Sequence, residues 1–187
     1  HGLVALMEFQ SSRLRSRTDR DGRPILLEQQ NRTTWDRAQI QRGVAALQRA
    51  SDIVQRRNIG WGHYTLQAAL AECHVVAPTA ADTDWGRIVS LYDALLSLAP
   101  SPVVQLNRAI AVAMADPQNG PSVALDIVDA IEGLDGSYLV PSVRGELLFR
   151  LGRKIEAATA FERAAELVDN EREREVLRDK AAAARRR

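Results

Sequence analysis

Three groups of residues in this 187-residue sequence have types and spacings that could do chemistry. Glu72, Cys73 and His74 are consecutive, with His63 eleven positions earlier. Such donors could hold a metal ion, or pair a thiol with a base. On a helix, however, adjacent side chains diverge by about 100°, so Cys73 and His74 cannot close on one ion. His63 and His74 stand about 16 Å apart along a helix axis, also too far. Cys73 falls on an apolar stripe and reads as a core thiol. Asp82 and Asp84 precede Trp85 and could form a carboxylate pair, but capping of the helix that follows explains them more simply. Asn107-Arg108 sits on a helix in an acidic region, where Arg108 either pairs internally or grips a partner. There is no phosphate loop, no nucleophile elbow and no paired-cysteine spacing. No catalytic, metal or cofactor residue is assigned, and a non-enzyme is expected.

Charge narrows the partners. The net charge is +1. Residues 1–60 carry 11 basic and 6 acidic side chains, residues 61–140 carry 2 and 9, and residues 141–187 carry 12 and 9. An acidic middle repels phosphates, so DNA does not wrap this chain. One cysteine excludes a disulfide framework and points to a cytoplasmic protein. No apolar run approaches the ~20 residues needed to span a bilayer, so no membrane role is expected.

The elements that must position these residues read as helices throughout, since Ala and Leu dominate and aromatic residues make up 5%. Leu3, Leu6, Met7 and Gln10 predict one stripe of a first helix running to about Arg15. A polar stretch crowded with Arg13, Arg15, Arg17, Asp19, Arg20, Asp21 and Arg23 follows, with Asp21-Gly22 as a turn signal. Residues 16–32 form an irregular segment, including the 24–30 run, lying against the helices. Thr33 or Thr34 is expected to cap the next helix, whose stripe is Ile40, Val44, Leu47 and Val54. Asn58, Gly60 and Gly62 interrupt it. Leu66, Ala69, Leu70 and Cys73 mark another helix, ended by Pro78. Further helices carry Trp85, Ile88, Tyr92 and Leu95, then Leu106, Ala109, Ile110 and Ala113 after a Ser101-Pro102 start. Residues 116–121 read as a loop. Three helices follow (Ala124 to Ile131, Tyr138 to Leu151, Lys154 to Val168), then a closing helix with a basic tip at Arg185 to Arg187.

Spacing separates a bundle from a repeat array. Gly145, Leu148, Gly152, Ala157, Phe161 and Ala164 follow the small, large, turn, small, aromatic, small order of a tetratricopeptide unit. Small residues let paired helices approach, the aromatic ring fills the gap, and Gly152 suits the turn. Stepping back from Phe161 reaches Val128 after 33 residues and Tyr92 after a further 36. The expected fold is all-α, with tetratricopeptide-like tandem helical hairpins in a short right-handed solenoid. Residues 1–60 would be N-terminal helices packed on the array, and residues 61–187 the repeats with a capping helix.

Several strings resemble a known family together: Leu26-Leu27-Glu28-Gln29-Gln30-Asn31-Arg32 leading to Trp35-Asp36-Arg37; Gln67-Ala68-Ala69 with His74; Asp82-Thr83-Asp84-Trp85; Leu91-Tyr92-Asp93-Ala94-Leu95; Pro100-Ser101-Pro102-Val103-Val104 leading to Leu106-Asn107-Arg108-Ala109; and Leu151-Gly152-Arg153 with Glu156-Ala157. Across nearly the whole chain they resemble the tetratricopeptide-like C-terminal extension of a subgroup of extracytoplasmic-function RNA polymerase sigma factors. The resemblance implies sigma regions two and four upstream, RNA polymerase core as partner, and DNA contact only through those regions. It implies a regulatory or assembly role in transcription initiation, without a conventional anti-sigma partner. The family usually carries a histidine after the tyrosine aligned with Tyr138, and Leu139 stands there, so no role is carried over to that pair. The polar residues expected on a partner surface are His74, Arg108 and Tyr138. A stand-alone helical-repeat adaptor binding a peptide or protein is the competing expectation.

Overall fold

Glycine, proline and short polar caps punctuate this chain often enough that no helix among the described residues runs beyond 21 residues. The computed structural model describes residues 1–20, 22 and 25–186, the Glu28 side chain excepted. Asp21, Arg23, Pro24 and Arg187 lie outside that set, and with them the Asp21-Gly22 turn, the start of the 24–30 run and the end of the basic tip. Among the described residues the protein is all-α, with nine α-helices and no β-strand. Packing divides the chain into two compact units, His1–Leu98 and Ala99–Arg187.

The first unit contains α1 (Gly2–Ser11), α2 (Arg37–Arg57), α3 (His63–Val76) and α4 (Trp85–Leu98). Helix α1 ends at Ser11, earlier than the periodicity suggests. The Ser12 hydroxyl donates to the Phe9 carbonyl at 2.7 Å, and a short 3-10 turn follows at Leu14–Ser16. Its buried face is also not the apolar one. Gly2, Ala5 and Phe9 face inward, while Leu3, Val4 and Met7 are exposed. Close approach explains the choice. A Cβ on Gly43 would lie 2.5 Å from the Phe9 ring, and one on Gly2 would lie 2.5 Å from the Thr65 hydroxyl. Phe9 therefore seats directly on the α2 backbone, and Gly2 on α3.

Helix α2 is capped by Asp36, whose carboxylate accepts from the Gln39 amide at 3.0 Å. Thr33 and Thr34 do not cap it, because both belong to a separate 3-10 turn, Arg32–Thr34. The α2 core face is Ile40, Gly43, Ala46, Leu47 and Ala50, with Val44 exposed. Asn58 closes the helix in the left-handed region at φ 49°. Helix α3 buries Leu66, Ala69, Leu70 and Cys73 as its spacing predicts, and the chain turns extended at Ala77 before Pro78. Asp84 caps the start of α4, accepting from the Arg87 amide at 2.9 Å, whereas Asp82 closes the preceding turn onto Thr79.

The second unit contains α5 (Pro102–Ala115), α6 (Gly120–Asp129), α7 (Leu139–Arg150), α8 (Lys154–Leu167) and α9 (Glu171–Arg186), each packed on the next. The expected 116–121 loop is shorter than its composition suggests. Asp116 accepts from the amides of Gln118 and Asn119, and Gly120 and Pro121 already begin α6 and are buried. A Cβ on Gly120 would lie 2.4 Å from the Val112 carbonyl oxygen, so glycine lets α6 touch the α5 backbone. The α7–α8 pair uses the Phe9–Gly43 device again. Phe161 lies across Gly145, where a Cβ would be 2.8 Å from the ring, and Gly152 turns the chain at φ 74°. Leu148, Ala157, Phe161 and Ala164 are buried together with Val128 and with Leu177, Ala181 and Ala184 of α9. The charged closing helix thus hides an apolar stripe.

Candidate functional site

A polar constellation of the first unit lies where the chain leaves α1 and returns to start α2. Asn31 caps the 32–34 turn by accepting from the Thr33 amide at 3.0 Å, and the hydroxyls of Thr34 and Ser16 are 2.6 Å apart. The Asp36 amide donates to the Ser12 carbonyl at 3.0 Å, closing the loop at its base. Three half-buried arginines, Arg13, Arg17 and Arg32, stand at this loop. Arg13 donates to the Gln10 side-chain oxygen at 3.0 Å and to that of Gln30 at 3.5 Å. Arg17 donates to the same Gln10 oxygen at 2.6 Å and to the Gln10 carbonyl at 3.1 Å. Arg32 stacks on the Trp35 ring at 4.8 Å and donates to the carbonyls of His74 and Ala77, the negative end of α3.

Electrostatics follow from this crowding. Burial, then Arg17 and Arg32, bring the Arg13 guanidinium down to about 10. Burial lowers Arg32 as well, with Asp82 opposing it. His74 is half-buried with its ring edge-on to Trp85 at 5.4 Å. Burial, then the charges of Arg13 and Arg32, push its pKa down to about 4, so it is neutral at pH 7. Trp35 is buried, and its Nε1 has no hydrogen-bond partner among the described residues. Nearby, a surface depression of about 370 Å³ is lined by Ser11, Ser12, Leu14, Arg15, Thr34, Asp36 and Gln39, and brings only Arg15 and Asp36 together as charges.

The residues expected on a partner surface fall in different units. His74 lies on α3 of the first. Arg108 lies half-buried on α5 of the second, and Tyr138 stands at the start of α7. Tyr138 packs against the second core, and its phenol is raised by burial and by a hydrogen bond to Glu173 on α9. Leu139 is the first residue of α7 and is exposed. Cys73 is buried, and burial pushes its thiol up, away from the reactive thiolate. The His63 ring meets Gln67 at 2.8 Å. Among the described residues no three His, Cys, Asp or Glu side chains gather as a metal site. No helix among them is long and apolar enough to cross a membrane.

In the sequence Arg13 and Arg17 belong to a polar stretch, and Arg32 to the Leu26–Arg32 string. The available signal was their density with Gln10 and Gln30 nearby. That Arg13 and Arg17 share Gln10, and that Arg13 and Arg32 both act on His74, are tertiary facts.

Residues 1–51 match a family of unknown function, DUF6596. An uncharacterized protein of Rhizobium meliloti (strain 1021) is 43% identical over 178 residues, covering 95% of this chain. The chain spans 40% of that relative's length. No solved structure matches. The similarity thus covers both units of this chain, and the family match covers the part that supplies Arg13, Arg17 and Arg32.

Proposed function

We infer that this chain is a non-catalytic regulatory or assembly domain of an extracytoplasmic-function sigma factor. Its helix pairs would form a short tetratricopeptide-like solenoid that contacts the sigma core or RNA polymerase. The observation that carries the reading is the succession α5 to α9, each helix packed on the next, with Phe161 seated on Gly145 and Gly152 at the turn in the α7–α8 pair. Such stacking buries the apolar faces of neighbouring helices and leaves surface for a macromolecule. The sigma-factor strings quoted above supply the biological context. The length of the Rhizobium meliloti relative agrees with a module carried in a larger protein. His74, Arg108 and Tyr138 are the first polar residues to substitute in search of the contact.

The test is promoter-dependent transcription in vitro by the intact factor with and without this segment. Loss of activity or of its regulation on deletion is expected. Unchanged transcription overturns the reading and leaves the stand-alone adaptor in its place. A natural gene lacking sigma regions two and four overturns it equally.

A further inference from the structure

Among the exposed arginines of the first unit, Arg42 meets Glu8 at 2.8 Å and Arg87 meets Glu72 at 2.9 Å. Arg13, Arg17 and Arg32 have no carboxylate within ion-pair distance among the described residues, although all three are half-buried. Among the described residues their hydrogen-bond partners are neutral oxygens. Arg13 and Arg17 reach from two sides to one Gln10 oxygen, at 3.0 Å and 2.6 Å, with Gln30 behind Arg13. Arg32 is held rigid by Trp35 on one face and by two carbonyls at its edge. A carboxamide oxygen bears a fraction of a charge, and hydrogen bonds from guanidinium to a full anion are roughly twice as strong as neutral ones. Bringing like charges together in a half-buried place costs free energy that a bound anion returns.

We propose that Arg13, Arg17 and Arg32 form an oxyanion site that accepts a carboxylate or phosphate group, with the Gln10 oxygen drawing the Arg13 and Arg17 guanidinium groups to one place. Arginine suits this chemistry because its planar donors match the oxygens of both groups in pairs. The site is reachable, since each arginine and Gln10 retains exposed surface. It stands whether or not the chain serves a sigma factor. The group could come from a free anion or from an acidic side chain of a partner, and the chemistry is the same.

His74 serves as an internal reporter. The charged groups on the elements around it are Arg13 and Arg32, Glu72 and Arg87 paired with each other, and Asp82 and Asp84 ahead of α4. An anion seated among the arginines offsets the two charges that depress the imidazole. The experiment uses the whole 187-residue chain and inorganic phosphate at constant ionic strength, with chloride as the balancing salt. A saturable rise in melting temperature of roughly 3–6 °C at tenfold excess over the midpoint is expected. The rise should vanish in R13Q/R17Q and persist in R42Q. A rise no larger than that in chloride, or one retained in the double variant, overturns the site. Should R13Q/R17Q not fold, NMR titration of the unsubstituted protein decides: His74 should move from about 4 toward 6.5 with phosphate present. An unmoved titration overturns the proposal. A polyglutamate peptide in parallel separates the sources. Tighter peptide binding assigns the site to an acidic protein segment, tighter phosphate binding assigns it to a phosphate group, and failure of both overturns it.

Discussion

His74 shows how one side chain's charge state is set by its surroundings. In the folded chain it binds a proton only near pH 4, because burial and two arginines oppose the charged form. In the unfolded chain it titrates at the ordinary 6.5. Between those values the unfolded state holds more protons, so stability rises with pH across the window and falls on acidification. The gap is worth on the order of 3 kcal/mol. His74→Gln should therefore lose less stability than the parent between pH 7 and pH 4.5, measured by urea unfolding. Equal losses in both proteins would contradict this. Two glycines set the other test at this scale. Gly43→Ala and Gly145→Ala each push a methyl group into a buried phenyl ring, at 2.5 Å and 2.8 Å. Overpacking at about 1–3 kcal/mol outweighs the roughly 1 kcal/mol helix preference of alanine. Phe161→Leu should recover part of the loss at Gly145 in a double-mutant cycle, and additive losses would show that the ring is not the obstacle.

At the scale of elements, caps and approaches decide where helices stop and what they touch. Gly120→Ala sets a methyl carbon 2.4 Å from a backbone carbonyl that cannot swing aside. A loss on the order of 3 kcal/mol is expected from the shift in denaturation midpoint, with α5 and α6 forced apart. Gly60→Ala meets nothing within 4 Å and should be neutral or stabilising by up to about 1 kcal/mol. The elements themselves were legible. Helices from α3 onward follow from apolar spacing and from Pro78, Ser101-Pro102 and Gly152, because capping and breaking are local chemistry. At two elements contacts with other parts of the chain override the local signal. On α1 the periodicity favours Leu3 and Met7, yet Gly2, Ala5 and Phe9 are buried, because the gap left by Gly43 admits a ring and by Thr65 admits only a glycine. At α2 the threonines looked like caps, but Asn31 and Ser16 engage them first, which leaves the role to Asp36.

At the scale of the whole molecule, each unit has its own core, and the three tryptophans, Trp35, Trp61 and Trp85, all fall in the first. Tryptophan fluorescence therefore reads the first unit, while circular dichroism reads both. Gly145→Ala should lower the dichroism midpoint and leave the fluorescence midpoint within error. Equal shifts would show that the units unfold as one.

The sequence alone determined that this protein is built from helices, where most of them break, and that Cys73 is a core thiol, because propensity, capping and periodicity act within a few residues. The tertiary structure decided which face of α1 is hidden and which polar groups meet. Arg13 and Arg17 lie four residues apart, but Arg32 and His74 are 42 residues from each other. Only packing of the 32–34 turn against the end of α3 brings charges so distant in the chain within reach of one imidazole.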